Sequence, residues 1–358
     1  MSHPEREIRK GRGAQSRQAN RFEALQEQPL EDFLEHQRIS GESEKVRTGY
    51  LRVHPKTIVN KVTSPDVGMS YSMNPYQGCE HGCVYCYARN SHEYWGYGPG
   101  LDFESKILVK ENAPALLDRF LKRRSWKAAP IVLSGNTDCY QPAEREFGVT
   151  RACLEIFHRY RHPVGIITKN ALVLRDMDLL TELHADGLVG VNISVTSLDE
   201  STRRLLEPRT ASIAKRLETI RKLSDAGIPV NAMLAPIIPG INSHEVMDMA
   251  RAVADAGARS FGFTVVRLNG AIAGIFTEWL HRAMPDRAGK ILSQIRACHG
   301  GSLNDSRFGI RNKGEGAVAS QIHQLAAIAR KKYFAGRKFP ELNTSLHAAH
   351  KSGQWELF

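Results

Sequence analysis

The 358-residue chain carries 49 Lys and Arg against 38 Asp and Glu, a net charge of +11, with 42% hydrophobic and 24% charged residues. That balance is a soluble globular protein's, long enough for one α/β-barrel-sized domain with extensions or for two ordinary domains. It excludes a bilayer-spanning helix, because no run approaches the ~18 to 20 apolar residues needed.

The start, Met1 to Glu7, lacks the apolar core of a secretion signal, so the expected location is the cytosol. Six cysteines there, three of them within eight residues, argue for metal or redox chemistry rather than a disulfide framework. The basic excess suits a polyanionic partner such as nucleic acid, or is only a solvated surface.

Residues 1–48 are polar and poor in aliphatics, which predicts a flexible N-terminal arm. Thr57-Ile58-Val59, before the turn Ser64-Pro65-Asp66, adds a candidate strand. From residue 71 short β-branched runs alternate with helical stretches. The strands are expected at Tyr71 to Tyr76, Pro130 to Ser134, Val164 to Thr168, Leu188 to Val195, Val230 to Ile238 and Phe261 to Leu268. Between them, helices are expected from Asn112 to Arg124 and on the faces Cys153/Ile156/Phe157/Tyr160, Met177/Leu180/Leu183 and Ile213/Leu217/Ile220/Leu223. Another opens at Asn242, with Glu245 three residues on in a capping-box spacing.

Six βα units are two short of a closed eight-stranded barrel, so the fold class is α/β, a partial (β/α)6 TIM-like barrel. It is expected over residues 49–270. Helices near Ile275 to Arg282, Arg287 to Ala297 and Val318 to Tyr333 form a C-terminal extension over 271–340, before a tail of 341–358.

The chemistry centres on residues 79–87, Cys-Glu-His-Gly-Cys-Val-Tyr-Cys-Tyr. The loop follows the first strand, and ligands of parallel sheets gather at strand C-termini. Cys79, Cys83 and Cys86 can hold three corners of a 4Fe-4S cube, leaving one iron open, or can bind zinc together with His81 or His92.

Tyr85 immediately precedes the third cysteine, and this C-x3-C-x2-C pattern is similar to the signature of the radical S-adenosylmethionine superfamily. More narrowly, the stretch from Asn74 to Arg89 resembles its spore photoproduct lyase-related branch. The resemblance implies an enzyme whose open iron chelates S-adenosylmethionine. One electron from an external carrier such as flavodoxin or ferredoxin then cleaves the sulfonium, and the resulting 5′-deoxyadenosyl radical takes a hydrogen from the substrate.

The strand ends acquire candidate roles on that resemblance. Thr137 and Asp138 stand where the family receives the cofactor's amino group, in Ser134-Gly-Asn-Thr-Asp138 rather than the commoner Gly-Gly-Glu. Lys169 is a point charge for its carboxylate, and Ser194 a partner for carboxylate or ribose. Ile237 and Ile238 resemble the adenine ledge, while Tyr85 and Tyr87 line the pocket or pack the loop. Cys139 is the candidate hydrogen donor or a plain loop thiol, since Gly135 stands about where the photoproduct lyases' donor cysteine aligns. Arg209 holds a substrate anion or pairs with an acid such as Glu207.

Tyr94, Trp95 and Tyr97, near Lys106 and Lys110, stack bases or plug the barrel mouth. Cys153 is expected in the core, and nothing singles out Cys298. The C-terminal Gln354-Trp-Glu-Leu-Phe358 resembles the peptides by which bacterial DNA-maintenance proteins dock on the sliding clamp. The substrate expected first is DNA or another nucleic acid. The alternatives are a peptide or small metabolite under the same chemistry, and a zinc-stabilised nucleic-acid-binding protein without catalysis.

Overall fold

The structure, a computed structural model, describes residues 9–22 and 46–352, so Gln354 to Phe358 lie outside the described residues. In chain order the strands are β1 (Gly49–Val53), β2 (Val59–Lys61), β3 (Tyr71–Met73), β4 (Tyr76–Gln77), β5 (Lys106–Lys110), β6 (Ile131–Leu133), β7 (Val164–Thr168), β8 (Val189–Ser194), β9 (Val230–Ile237) and β10 (Ser260–Val265). The larger sheet runs β10-β9-β8-β7-β6-β3-β2, with β2 antiparallel to β3 on one edge and the other six strands parallel. Those six are the six expected, so the partial barrel stands.

Helices cover the outer face, so the central strands are apolar on both sides: in β8 every residue but Asn192 is buried. The helix Ile213–Asp225 shows how the chain builds one such layer. The Ser212 side chain caps its first turn by accepting from Lys215 N, and Ile213, Ile220 and Leu223 go inward. Gly227, at φ +81°, ends it: its N–H bonds Ser224 O and that of Ile228 bonds Leu223 O, a Schellman closure.

The C-terminal helices Ile272–Ala283, Pro285–Ala297 and Gly316–Tyr333 lie where the apolar periodicity placed them. The last packs on Val246–Asp255, and its Ala319, Ile322, Ala326 and Ala329 join the barrel's own core. Between them, residues 303–312 occupy the open edge: Val265 N donates to Asn312 O and Leu268 N to Leu303 O. The sixth strand therefore stops at Val265, short of Leu268. Across the gap Asp66, in the turn after β2, accepts from Gly309 N and Arg311.

Three expectations are corrected. The capping box does not form: Asn242 Oδ1 accepts from Ile238 N, its Nδ2 donates to Thr196 O and Pro236 O, and Glu245 accepts from Ser197 Oγ and Leu198 N. Both side chains tie the β8 and β9 loops together instead. A second, small sheet β1-β5-β4 stands beside the cysteine loop, and β5 was not anticipated.

The third correction concerns residues 9–22, expected within a flexible arm. They lie as a strap against the body, with Arg12, Ala14 and Asn20 buried. Gly13 N and Ala14 N donate to the Glu104 carboxylate, Leu101 N donates to Ser16 O, and Asn20 Nδ2 donates to Glu93 O.

Candidate active site

The cysteine loop is held by its backbone. Gly78 (φ +79°) and Gly82 (φ +68°) turn the chain at either side of Cys79, and a Cβ on Gly78 would lie 2.9 Å from Lys106 O. Cys79 N donates to Phe103 O, and Val84 N to Leu206 O. Gln141, fully buried, accepts from Glu80 N and donates to Gly78 O. Arg89, also fully buried, donates from Nε and an NH2 to Cys83 O and pairs with Glu104 at 2.5 Å. With every donor matched, such a buried pair fixes one geometry for the loop.

Cys79 and Cys83 are buried and Cys86 is partly so, and their thiols are close enough for their charges to interact. Burial pushes the Cys83 thiol well up, aided by Glu207, and pushes Cys86 to about 11 against the opposing charge of Arg89. Cys139, Cys153 and Cys298 are buried in the main core, so no fourth cysteine joins the set. His81 faces Asp138 at 3.3 Å, and His92 is enclosed by the rings of Tyr97 and Phe103. Among the described residues no three His, Cys, Asp or Glu groups converge tightly enough for one bare ion. Three neighbouring thiols, with Cys79 also hydrogen-bonded to His81, supply three thiolate ligands and fit an iron–sulfur cube with one open iron.

At the strand ends the candidates separate by what they touch. Thr137 Oγ1 donates to Tyr76 O, and Asp138 accepts from Thr168 Oγ1, Lys169 N and Tyr140 N. Burial opposes the Asp138 charge, yet His81 and these donors hold its carboxyl below the usual range. Both residues thus clamp the end of β6 to the cysteine loop. Ser194 ends β8 with its carbonyl accepting from Arg216. Ile238 packs with Cys83, Val84 and Tyr85, whereas Ile237 points into the main core. Tyr87 is half-exposed and donates to Gly135 O. A Cβ on Gly135 would meet Ser72 Cβ at 2.8 Å, so the backbone here leaves no room for a cysteine.

The Cys139 thiol is fully buried, and its backbone carbonyl accepts from Thr150. Its surroundings are those of core packing. Arg209 is not paired with Glu207: it lies 3.9 Å from Glu80 and within reach of Thr48. Tyr94 is exposed and plugs nothing, while Trp95 and Tyr97 lie beneath Lys110 and Lys106.

The residue that sequence reasoning missed is Glu207. Fully buried, it accepts from Tyr85 OH, Thr196 Oγ1 and Arg216, and pairs with Lys169 Nζ at 3.3 Å. Burial opposes its charge, but Arg216 and Lys169 hold the carboxyl well below its usual range. Lys169, which lies 5.9 Å from the centre of the Tyr85 ring, is thereby held at the mouth as an oriented cation. The available signal was Arg216, a charge on the inward face between Ile213 and Ile220.

The family model described as the radical SAM superfamily matches residues 73–253. The uncharacterized protein Rv2578c of Mycobacterium tuberculosis is 34% identical over 234 residues, 64% of this chain and 69% of that protein. The sporulation killing factor maturation protein SkfB of Bacillus subtilis is 29% identical over 195 residues, 54% of this chain and 41% of its own. Spore photoproduct lyase complexed with dinucleoside spore photoproduct superposes with a TM-score of 0.58 at 16% identity, covering 80% of each chain. A variant of that lyase with bound AdoMet gives 0.60 at 15%, over 86% of this chain and 92% of the other.

The family's cofactors are a 4Fe-4S cluster, which Cys79, Cys83 and Cys86 would hold, and S-adenosylmethionine, and together they would supply one-electron reductive chemistry given an external donor. On the family model and the cysteine loop together, the chain is an enzyme of the radical SAM superfamily, and its fold is similar to that of spore photoproduct lyase.

Proposed function

We propose that the enzyme draws its hydrogen atom from nucleic acid, with damaged DNA as the leading substrate. The observation that carries this reading is the rim of the barrel gap. Half-exposed Tyr87, half-buried Arg267 and the pair Arg311–Phe308 line it, with the Arg311 guanidinium 4.4 Å from the centre of the exposed Phe308 ring. Burial and the nearby Arg311 charge hold Arg267 below its ordinary value against the opposing charges of Asp66 and Asp305. An exposed aromatic face beside two guanidiniums, Arg311 paired with Asp66 and Arg267 donating to Asp305 O, suits a base and its backbone. The net charge of +11 and the lesion bound by the lyase neighbour support the same substrate class.

Within the site, Lys169 meets the cofactor carboxylate, Ser194 and Ile238 line its pocket with Tyr85 and Tyr87, and Thr137 and Asp138 position the loop. Arg209, at the rim of the cysteine loop, is a lesser candidate for a substrate anion. Cys139, enclosed in the core, supports the structure rather than donating a hydrogen. A peptide substrate is the second reading, favoured by the likeness to SkfB.

Reconstituted enzyme with dithionite and S-adenosylmethionine, given ultraviolet-damaged DNA or a peptide mixture, separates the two. Quicker release of 5′-deoxyadenosine with DNA is expected; a response to peptide alone reverses the reading. The terminal Gln354 to Phe358 peptide would tether the enzyme to a sliding clamp, and a labelled peptide showing no saturable binding removes that tether.

A further inference from the structure

The strap of residues 9–22 is more than a covering. Its Gly13 backbone lies directly on the cysteine loop, so close that a Cβ there would sit 1.8 Å from Gly82 O. The buried Glu104 carboxylate locks the two together, taking Gly13 N and Ala14 N from the strap and the Arg89 guanidinium from the loop. Arg12 reinforces the lock by donating to Glu104 O and Val46 O. The strap therefore packs directly on the cysteine loop, with Arg12, Gly13 and Ala14 buried at the contact and Lys10, Gly11 and Arg17 exposed on either side of it.

The outer face of that layer has a distinct chemistry. Residues 9–22 include Arg9, Lys10, Arg12, Arg17 and Arg21 and no acid, and Lys10, Arg17 and Arg21 are exposed. At the strap's end Phe22 is 58% exposed and Tyr94 72% exposed, with ring centroids 5.1 Å apart and the Arg21 guanidinium 4.7 Å from the centre of the Phe22 ring. Arg21 is itself paired with the buried Glu93 at 3.3 Å, and with Lys10 and Arg17 exposed on the same strap the two solvent-facing rings form a small apolar centre on a basic segment, the composition of a transient docking patch. Tyr94 belongs to the 3-10 segment Tyr87–Trp95, which begins at the residue after Cys86.

We propose that the strap and the Phe22–Tyr94 pair are the docking surface for the external reductant, an acidic one-electron carrier protein of the flavin or iron–sulfur type. The carrier gives up one electron and the cluster accepts it, with no proton or group transferred. The direct contact of the strap with the cysteine loop matters because electron-transfer rates fall exponentially with distance. The cations draw in an acidic partner, and the rings supply the contact that orients it.

The test uses full-length reconstituted enzyme and a bacterial flavodoxin reduced to its hydroquinone. Lys10→Glu/Arg17→Glu and Phe22→Ala/Tyr94→Ala are compared with the unaltered chain in flavodoxin affinity, in stopped-flow bleaching of the cluster and in DNA affinity. Both variants are expected to bind flavodoxin at least about tenfold more weakly and to be reduced correspondingly more slowly by it. Reduction by dithionite, which needs no docking, should not change in either variant, and DNA affinity should not change in Phe22→Ala/Tyr94→Ala. The proposal is overturned if flavodoxin binding is untouched, if dithionite reduction slows equally, or if the loss falls on DNA binding instead.

Discussion

Glu207→Gln removes the carboxylate from the centre of the active-site network while keeping its shape. Arg216, 1% exposed in its side chain, then keeps its bonds to Ala211 O and Ser194 O but loses its counter-charge, and Lys169 loses its partner at 3.3 Å. An uncompensated buried guanidinium costs about 3–5 kcal/mol. At about 2.1 cal/mol/K per residue, unfolding of this chain carries about 0.75 kcal/mol/K, so Tm should fall by about 4 to 7 °C. Glu207→Gln/Arg216→Met removes both charges and should lose no more than about 1–2 kcal/mol, the deficit of a single partner being mostly the orphaned charge. The depressed Glu207 carboxyl sets the pH window: its stabilisation is complete above its unfolded value of 4.5 and drains away as pH falls through the lower folded value. Anaerobic urea titration and calorimetry of cluster-free protein measure all of this. A single variant losing under about 1 kcal/mol, or a double variant losing the sum of the singles, refutes the hub.

Burial holds Lys110 down at about 8, although it donates to Asn74 O. Below pH 8 its charge is a penalty carried only by the folded state, so Lys110→Met should stabilise the protein by roughly 1–2 kcal/mol at pH 7, a gain that fades as pH rises from 8 towards 10.5; urea midpoints across that range check it. Gly78→Ala forces a side chain to φ +79° and to within 3.0 Å of two backbone oxygens. A cost of about 2–4 kcal/mol and reduced iron after reconstitution are expected, read by melting and iron analysis. Phe308→Ala should weaken single-stranded DNA binding by about 1–3 kcal/mol, roughly fivefold to 150-fold in Kd by fluorescence anisotropy. Unchanged affinity would remove Phe308 from the substrate surface.

The barrel was legible because its signals are local. Val164–Thr168 matched at both ends, where Pro163 precedes the strand and polar Lys169 and Asn170 follow it. The features missed are those made by distant pairing. Lys106-Ile-Leu-Val-Lys110 is too short to stand out after an aromatic loop, and becomes a strand only because β1 and β4 meet it from either side. The strap has no apolar periodicity to betray it, for backbone N–H groups and Arg12 hold it, with Ala14 as its one buried apolar side chain among the described residues. Asn242 and Glu245 had the capping spacing, yet tertiary partners at Thr196 and Ser197 took their side chains. In the site, the cysteines were readable from spacing, while Glu207 was not, since Tyr85, Lys169, Thr196 and Arg216 converge on it from four separate segments.

The fate of a substrate hydrogen tests the central claim most directly. Reconstituted enzyme is incubated with S-adenosylmethionine, reductant and ultraviolet-irradiated DNA deuterated in its thymidines, and the released 5′-deoxyadenosine is weighed by mass spectrometry. The account predicts deuterium in that product, and none formed when Cys79, Cys83 or Cys86 is replaced by Ala. Unlabelled 5′-deoxyadenosine from the DNA reaction, with label arriving instead from a deuterated peptide, would contradict it.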